Sequence, residues 1–209
     1  MNERRITSDA CVAEGAAWLA AREPRFADAL ALVGPLPLRL KPEGFGELQR
    51  AIVGQQVSLA SAAAIQSRLD AAGMQDPAVV RSATDEELRE LGLSRQKARY
   101  VKALAVADID YDSLADLPTQ AVIKKLTAVS GIGMWTAEIY AKFALGRADA
   151  FAAGDLALQE GAKLIFGLDK RPNEPALRAM AEDWSPWRSV AARILWAYYK
   201  HAKQREGIR

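Results

Sequence analysis

The sequence predicts an all-α protein built as two helical lobes. Three observations carry that prediction: apolar residues recur at helical spacing along most of the chain, no stretch sustains the apolar–polar alternation of a half-buried strand, and helix-start signals recur at short intervals. The chain has 209 residues, half of them hydrophobic, which is enough to bury a substantial core as one large or two small domains. No internal repeat is present.

Taken in order, Ser8 or Asp9 caps a first helix that runs through Arg22, with Cys11, Val12, Ala16, Trp18 and Leu19 as its apolar residues. Pro24 suits the first turn of a second helix ending near Gly34. Three prolines and three glycines between Gly34 and Gly46 mark a crossover between packing units, with a short extended piece at Leu38–Leu40. Helical spacing returns at Phe45, and Ser58 begins another helix through Ala72, leaving Gln55 and Gln56 at the junction. Pro77–Ala83 forms a short helix, Thr84 with Glu87 makes a capping box for the next, and Ser94 caps a basic helix through Ala107. Asp108–Pro118 reads as a loop, Gln120–Ala128 as a helix, Glu174–Trp184 as another, and Pro186 behind Ser185 as the first turn of a long C-terminal helix. That makes about ten helices.

The most informative stretch runs from Leu126 to Leu158. Ser130, Gly131 and Gly133 interrupt the helical pattern before Thr136–Phe143 resumes it, which reads as helix, tight hairpin, helix. The two glycines let the backbone turn with φ > 0 while Val129 and Ile132 plug inward, and N–H groups are left unblocked at the start of the second helix. Such a terminus carries partial positive charge and binds anions. After Gly146 an irregular segment leads to Asp155, which opens the amphipathic run DLALQEGAKLIFG at a helix N-cap position. Taken alone, GxG is a common turn and a capping aspartate is a common cap.

Together, VSGIGMWTA and the following FAAGDLAL resemble the helix-hairpin-helix (HhH-GPD) base-excision DNA glycosylases, a superfamily marked by this hairpin, a Gly/Pro-rich loop and an essential aspartate. Within it the chain is similar to the DNA-3-methyladenine glycosylase II branch. The resemblance extends to VGQQVSLASAAAI and to DWSPWRSVAARILWAYY, so it covers roughly Phe45 to Tyr199. The family loop normally carries proline before the aspartate; here Ala153 and Gly154 stand there, and glycine makes the turn with less rigidity.

The resemblance implies residues 45–145 as a continuous lobe ending in the hairpin, and residues 1–44 with 146–209 as a second lobe carrying the catalytic aspartate, with the active site in the cleft between them. Some relatives have an additional N-terminal β-domain, and none is expected here, since the sequence leaves no room for it. Asp155 becomes the catalytic carboxylate, Trp135, Trp196 and Tyr140 the base pocket, and Gln55, Gln56, Ser58, Gly131, Gly133 and Thr136 the DNA contacts. Gln56 is the residue expected to enter the gap left by an extruded base. In relatives the hairpin carbonyls hold a monovalent metal ion, while no side-chain cluster here suggests a metal site. Trp18, Trp184 and Trp187 are expected in the core.

These residues permit a defined chemistry. Breaking the bond between a base and deoxyribose passes through an oxocarbenium-like sugar, which needs a fixed anion near C1′ and an oriented water. One carboxylate at a helix N-terminus can serve both needs. An alkylated purine already carries positive charge and leaves without protonation, and an indole face attracts such a base by roughly 0.5–2 kcal/mol. The expected function is a monofunctional glycosylase that flips out and excises alkylated purines of the 3-methyladenine type from double-stranded DNA, without a cofactor. It is monofunctional because Trp135 occupies the position two after the second hairpin glycine, where strand-cleaving members carry lysine. A glycosylase for deaminated or mismatched bases, or a non-catalytic DNA grip, would share the hairpin; a pure grip needs neither Asp155 nor QQVS.

Composition narrows the classes further. A formal net charge of +2 does not by itself demand a nucleic-acid partner, so the basic signal is local: Arg95, Lys97, Arg99 and Lys102 on one helix, Lys124 and Lys125 before the hairpin, and Lys200, His201, Lys203 and Arg205 at the end. A single cysteine, Cys11, excludes an internal disulfide and a four-cysteine iron–sulfur cluster, and so the endonuclease III and adenine-mismatch branches in their usual form. With no signal-peptide core and no apolar run of membrane-spanning length, the expectation is a cytoplasmic, nucleoid-associated monomer.

Overall fold

The computed structural model describes residues 3–205, all-α apart from one isolated antiparallel bridge between Arg5 and Arg147. Among these residues the chain forms thirteen α-helices against about ten expected, and the one without a counterpart in the sequence reading is a single turn, Tyr111–Leu114, inside a segment read as a loop. It divides into two compact units, residues 41–140 and residues 1–40 with 141–209.

In the unit of residues 41–140, α3 (Phe45–Gly54) buries Leu48, Ile52 and Val53, and α4 (Leu59–Ala71) begins behind Ser58, whose Oγ accepts from the Ser61 N–H. Helices α5 (Pro77–Ser82) and α6 (Asp85–Glu90) are both capped, the latter by the expected Thr84–Glu87 box. The basic helix α7 (Arg95–Val106) starts at its Ser94 cap. The segment read as a loop after Asp108 contains one helical turn, α8 (Tyr111–Leu114). The Asp110 carboxylate accepts from the Ser113 N–H and Leu114 is fully buried, which together offset the cost of ordering four residues. The hairpin helices are α9 (Thr119–Thr127) and α10 (Met134–Phe143), whose last residues, from Ala141, pass into the other unit.

The second unit is organised around α13 (Arg188–Arg205), with α1 (Asp9–Arg22), α2 (Pro24–Val33), α11 (Leu156–Phe166) and α12 (Glu174–Met180) forming a core around Phe26, Leu19, Val190, Ile194 and Leu195. At the contact of α11 with α13, a Cβ on Gly161 would lie 2.4 Å from the Leu195 carbonyl oxygen, so only glycine permits that approach. Trp184 and Trp187 are buried as expected, Trp184 edge-on to Phe26 and Phe151, while Trp18 is half-buried under the Arg22 guanidinium at 3.7 Å.

Three expected elements differ. Leu38–Leu40 is not extended: Arg39 takes a left-handed φ of 54°, and the Leu38 carbonyl accepts from Arg193 on α13 instead of from a strand partner. The helix expected over Glu174–Trp184 gives way after Met180 to a 3-10 turn, Ala181–Trp184, that drops Trp184 into the core. The C-terminal helix starts at Arg188 rather than at Pro186, and its first amide is held by a carboxylate from outside the helix, Arg188 N–H donating to Asp149 Oδ1 at 3.3 Å.

Candidate active site

Asp155 is the N-cap of α11. Its Oδ1 accepts from the N–H groups of Ala157 at 2.8 Å and Leu158 at 3.3 Å, so the carboxylate sits on the positive end of the helix, half-buried. The segment before it is held tightly. Ala152 and Ala153 are buried, the Asp155 N–H donates to the Ala152 carbonyl, and the buried Gln159 side chain turns back from α11 to donate to the Ala153 carbonyl at 2.9 Å.

A cluster of cationic groups lies in the same unit. Lys142, on the last turn of α10, is only 4% exposed, and with Arg39, Phe143, Arg193 and Trp196 it lines a small cavity of about 20 Å³. Burial, together with the Arg193 and Arg39 charges, pushes its amine well below the usual lysine range, while Asp155 pulls in the opposite direction. Arg193 is buried too and is lowered to about 10 by desolvation, then by Arg39; it donates to the Ser189 carbonyl and Oγ and to the Leu38 carbonyl. Trp196 is 41% exposed with the Arg39 guanidinium 4.8 Å from its ring centroid. Lys142 was missed in the sequence because a lysine in the last turn of a helix is the ordinary cation placement at a helix C-terminus.

In the other unit the hairpin turn spans Ala128 to Gly133. Val129 and Ile132 are buried as expected, but of the two glycines only Gly131 adopts positive φ, at 94°. Gly131 is required twice over, since a Cβ there would also fall 2.4 Å from the Tyr100 ring. Nothing lies within 4 Å of where a Gly133 Cβ would be, which leaves room for a ligand at the start of α10. Gln55 Nε2 donates to the Gly131 carbonyl at 3.0 Å, tying the QQVS corner to the hairpin. The Val129 carbonyl accepts from the Ile132 N–H; each of these two carbonyls keeps a second lone pair, so both can also ligate a monovalent cation. Among the described residues no cluster of His, Cys, Asp and Glu could hold a metal.

Gln56 is exposed at a left-handed φ of 55°, a conformation costly for a residue with a Cβ. Val57 beside it is partly exposed and Leu59, at the start of α4, is 91% exposed, so the corner also presents apolar side chains that the sequence reading passed over. Trp135, in the first turn of α10, is 45% exposed. Tyr140 is 2% exposed and its hydroxyl accepts from the Gly44 N–H, and Thr136 is buried. Burial pushes the Tyr140 phenol up to about 12.

The basic clusters separate into structural and exposed members. Lys97 donates to the Val53 carbonyl at the C-terminal end of α3 and Lys102 pairs with Asp85, whereas Arg95, Arg99, Lys124, Lys125 and Lys200 are exposed. The Lys203 ammonium lies over Tyr199, and the Arg205 side chain is outside the described residues. No helix among the described residues is long and apolar enough to cross a membrane.

A glycine-pinned hairpin and an aspartate capping the next helix but one define the class. Residues 49–186 match the HhH-GPD superfamily of base excision DNA repair proteins, and the chain belongs to that family. It is similar in structure to the DNA-3-methyladenine glycosidase of Bacillus halodurans, at a TM-score of 0.81 and 30% identity over 95% of this chain and 93% of that one. The Schizosaccharomyces pombe 3-methyladenine DNA glycosylase Mag1, solved with abasic DNA, superposes at a TM-score of 0.76 and 29% identity, covering 88% of this chain and 95% of that one. In sequence, S. pombe DNA-3-methyladenine glycosylase 1 is 30% identical over 81% of this chain and 78% of its own length. The Bacillus subtilis protein YfjP is also 30% identical over 77% of this chain, which spans 60% of that relative's length.

Proposed function

We propose that this protein is a monofunctional DNA glycosylase that excises alkylated purines of the 3-methyladenine type from double-stranded DNA in base excision repair. The observation that carries the reading is Asp155: a half-buried carboxylate on a helix N-terminus, in a loop tied down by Gln159, within a chain of the HhH-GPD family. The relatives named for 3-methyladenine supply the substrate class.

Asp155 supplies the fixed negative charge opposite the developing oxocarbenium and accepts a proton from the attacking water. Since it is held by amides of its own helix, little reorganisation is needed as charge develops. An alkylated purine is a cationic leaving group, so departure of the neutral base needs no general acid. Trp135 and Trp196 each present an exposed indole on which a cationic base can stack, and Tyr140, which is buried, is the third residue assigned to the pocket. Gln56, with Gln55 and Ser58 beside it, occupies the space of the extruded nucleotide, an extrusion that costs a few kcal/mol. Amides near Gly131 and Gly133, with Thr136 behind them, bind a backbone phosphate, which fixes register without reading sequence. A monovalent cation on the Val129 and Gly131 carbonyls would add positive charge to that contact. Such an enzyme works wherever the DNA is, in a bacterium the cytoplasm.

The test is release of free base. The purified protein is incubated with duplexes carrying 3-methyladenine, 7-methylguanine, hypoxanthine or uracil, and the freed base is identified by chromatography. Release of the methylated purines well ahead of hypoxanthine and uracil is expected. Preference for hypoxanthine or uracil would move the protein to deaminated bases, and DNA binding without release of any base would reduce it to a DNA grip.

A further inference from the structure

The mechanism above places a negative charge beside the sugar and assigns nothing to the base that leaves. The structure holds charge for that side as well. Arg39, on the segment before α3, lays its guanidinium 4.8 Å from the ring centroid of Trp196, the α13 indole assigned above to the base pocket. Arg193, one turn earlier on α13, lines the same cavity, with its guanidinium 5.2 Å from the Phe143 ring. The two arginines are tied through the backbone: Arg193 donates to the Leu38 carbonyl at 2.8 Å, which fixes the residue before Arg39, and Arg39 itself sits at a left-handed φ of 54°. Among the described residues no carboxylate lines this cavity. A cation already over one face of the indole does not help a cationic base to bind at the other, so its use lies in the step that follows binding.

We propose that Arg39, backed by Arg193, is the positive pole on the base side of the scissile bond, a positioning residue that acts across Trp196 to favour departure of the base. The inference rests on the proposed function, with Trp196 as a wall of the base pocket. In that reaction the N-glycosidic bond breaks with its electron pair going to the base and the positive charge staying on the sugar. The attacking water then gives its oxygen to C1′ and a proton to Asp155. The charge on the base therefore falls by one whichever base leaves: a 7-methylguanine cation departs neutral, and hypoxanthine departs as an anion that takes its proton from solvent. A fixed positive charge nearby favours that change without any proton donor. Its effect on binding is different, because it repels the cationic base and leaves the neutral one nearly unaffected. With the guanidinium on one face of the ring and the base on the other, their centres lie roughly 9 Å apart, about one Debye length at physiological salt, so the expected effect is about three- to fivefold.

The experiment is single-turnover excision at neutral pH of 7-methylguanine and of hypoxanthine, each in one duplex sequence, by wild type, Arg39→Gln and Arg39→Lys. Titrating the enzyme gives a saturating rate and a half-saturating concentration, the latter referred to the dissociation constant of the undamaged duplex so that any phosphate contact of Arg39 cancels. Arg39→Gln should lower the saturating rate about three- to fivefold on both bases, and tighten half-saturation by a similar factor for 7-methylguanine but not for hypoxanthine. Arg39→Lys keeps the charge and should restore both quantities. Where the wild type releases 7-methylguanine alone, its own rate and half-saturation decide. Arg39 is exposed, so the variants should melt with the wild type, and Arg39→Met takes the place of Arg39→Gln if the latter melts early. An unchanged saturating rate overturns the proposal, and so does a loss that lysine fails to restore, which would make Arg39 a packing residue. A wild type that releases neither base removes the proposed function instead, a result that no Arg39 variant can imitate.

Discussion

Replacing Asp155 by asparagine separates chemistry from structure at one atom. The cap consists of Oδ1 accepting from Ala157 and Leu158, and the amide oxygen of asparagine can accept the same two bonds. Asn and Asp are about equal as N-caps, so the fold should keep its stability, whereas alanine would forfeit about 0.5–2 kcal/mol. The substitution does remove the negative charge opposite the oxocarbenium. Loss of one preorganised electrostatic partner costs on the order of 10²–10³ in rate, or about 2.7–4 kcal/mol of activation free energy. Affinity should move the other way, since one negative charge has left a surface that must accept phosphates, and binding to an abasic duplex should hold or tighten. The assay is single-turnover base release beside equilibrium binding at one fixed salt concentration, with thermal melts of the wild type, Asp155→Asn and Asp155→Ala. If Asp155→Asn melts with the wild type and excises within a few-fold of it, the carboxylate is only a cap and the mechanism is wrong.

Three further outcomes are expected. Borohydride added during reaction on damaged duplex should trap no covalent complex, because Trp135 stands where strand-cleaving relatives carry lysine and Lys142 is a buried residue; a strong trapped band would refute the monofunctional assignment. Gln56→Ala should lose more activity on duplex than on single-stranded substrate, since extrusion rather than chemistry is impaired, and equal losses would remove Gln56 from that role. Gly161→Ala drives a methyl against the Leu195 carbonyl, a backbone atom that cannot swing aside, and should destabilise by about 1–3 kcal/mol or more, lowering Tm by about 2–4 °C for each kcal/mol; an unchanged melt would mean that α11 and α13 can part freely.

The helical class was legible because caps and apolar spacing are local signals, and Ser8, Ser58, Thr84, Ser94 and Asp155 all cap the helices that they were expected to cap. The family was legible from the hairpin and the aspartate, and residues 49–186 bear it out. The elements that differed depend on partners distant in sequence: Leu38 is anchored by Arg193, and α13 is capped by Asp149. The basic helix α7 shows the same limit, because nothing local says that Lys97 will be spent on the Val53 carbonyl while Arg95 and Arg99 remain exposed. Lys142 is the extreme case. Its position in the last turn of a helix predicts a solvated cation, and only the packing of the Arg39 segment and of α13 around the end of α10 buries it.

Contacts distant from the hairpin also bear on the proline missing before Asp155. Proline would stiffen the loop through its fixed φ, and Ala153–Gly154 gives that up. Stiffness here comes from α11 itself, since Gln159, one turn beyond the cap, spends its buried amide on the Ala153 carbonyl while the Asp155 N–H closes a turn onto Ala152. Gly154 contributes a close approach instead of a rigid φ: a Cβ there would come within 3.2 Å of Glu174 Oε2, so the loop lies against the start of α12 with little room to spare. The helix that provides the positive end for the carboxylate therefore also fixes the loop that delivers it. A loosened loop would tilt the carboxylate away from both amides at once, so cap strength and placement of the anion fail together, and a substitution at Gln159 should be read for both.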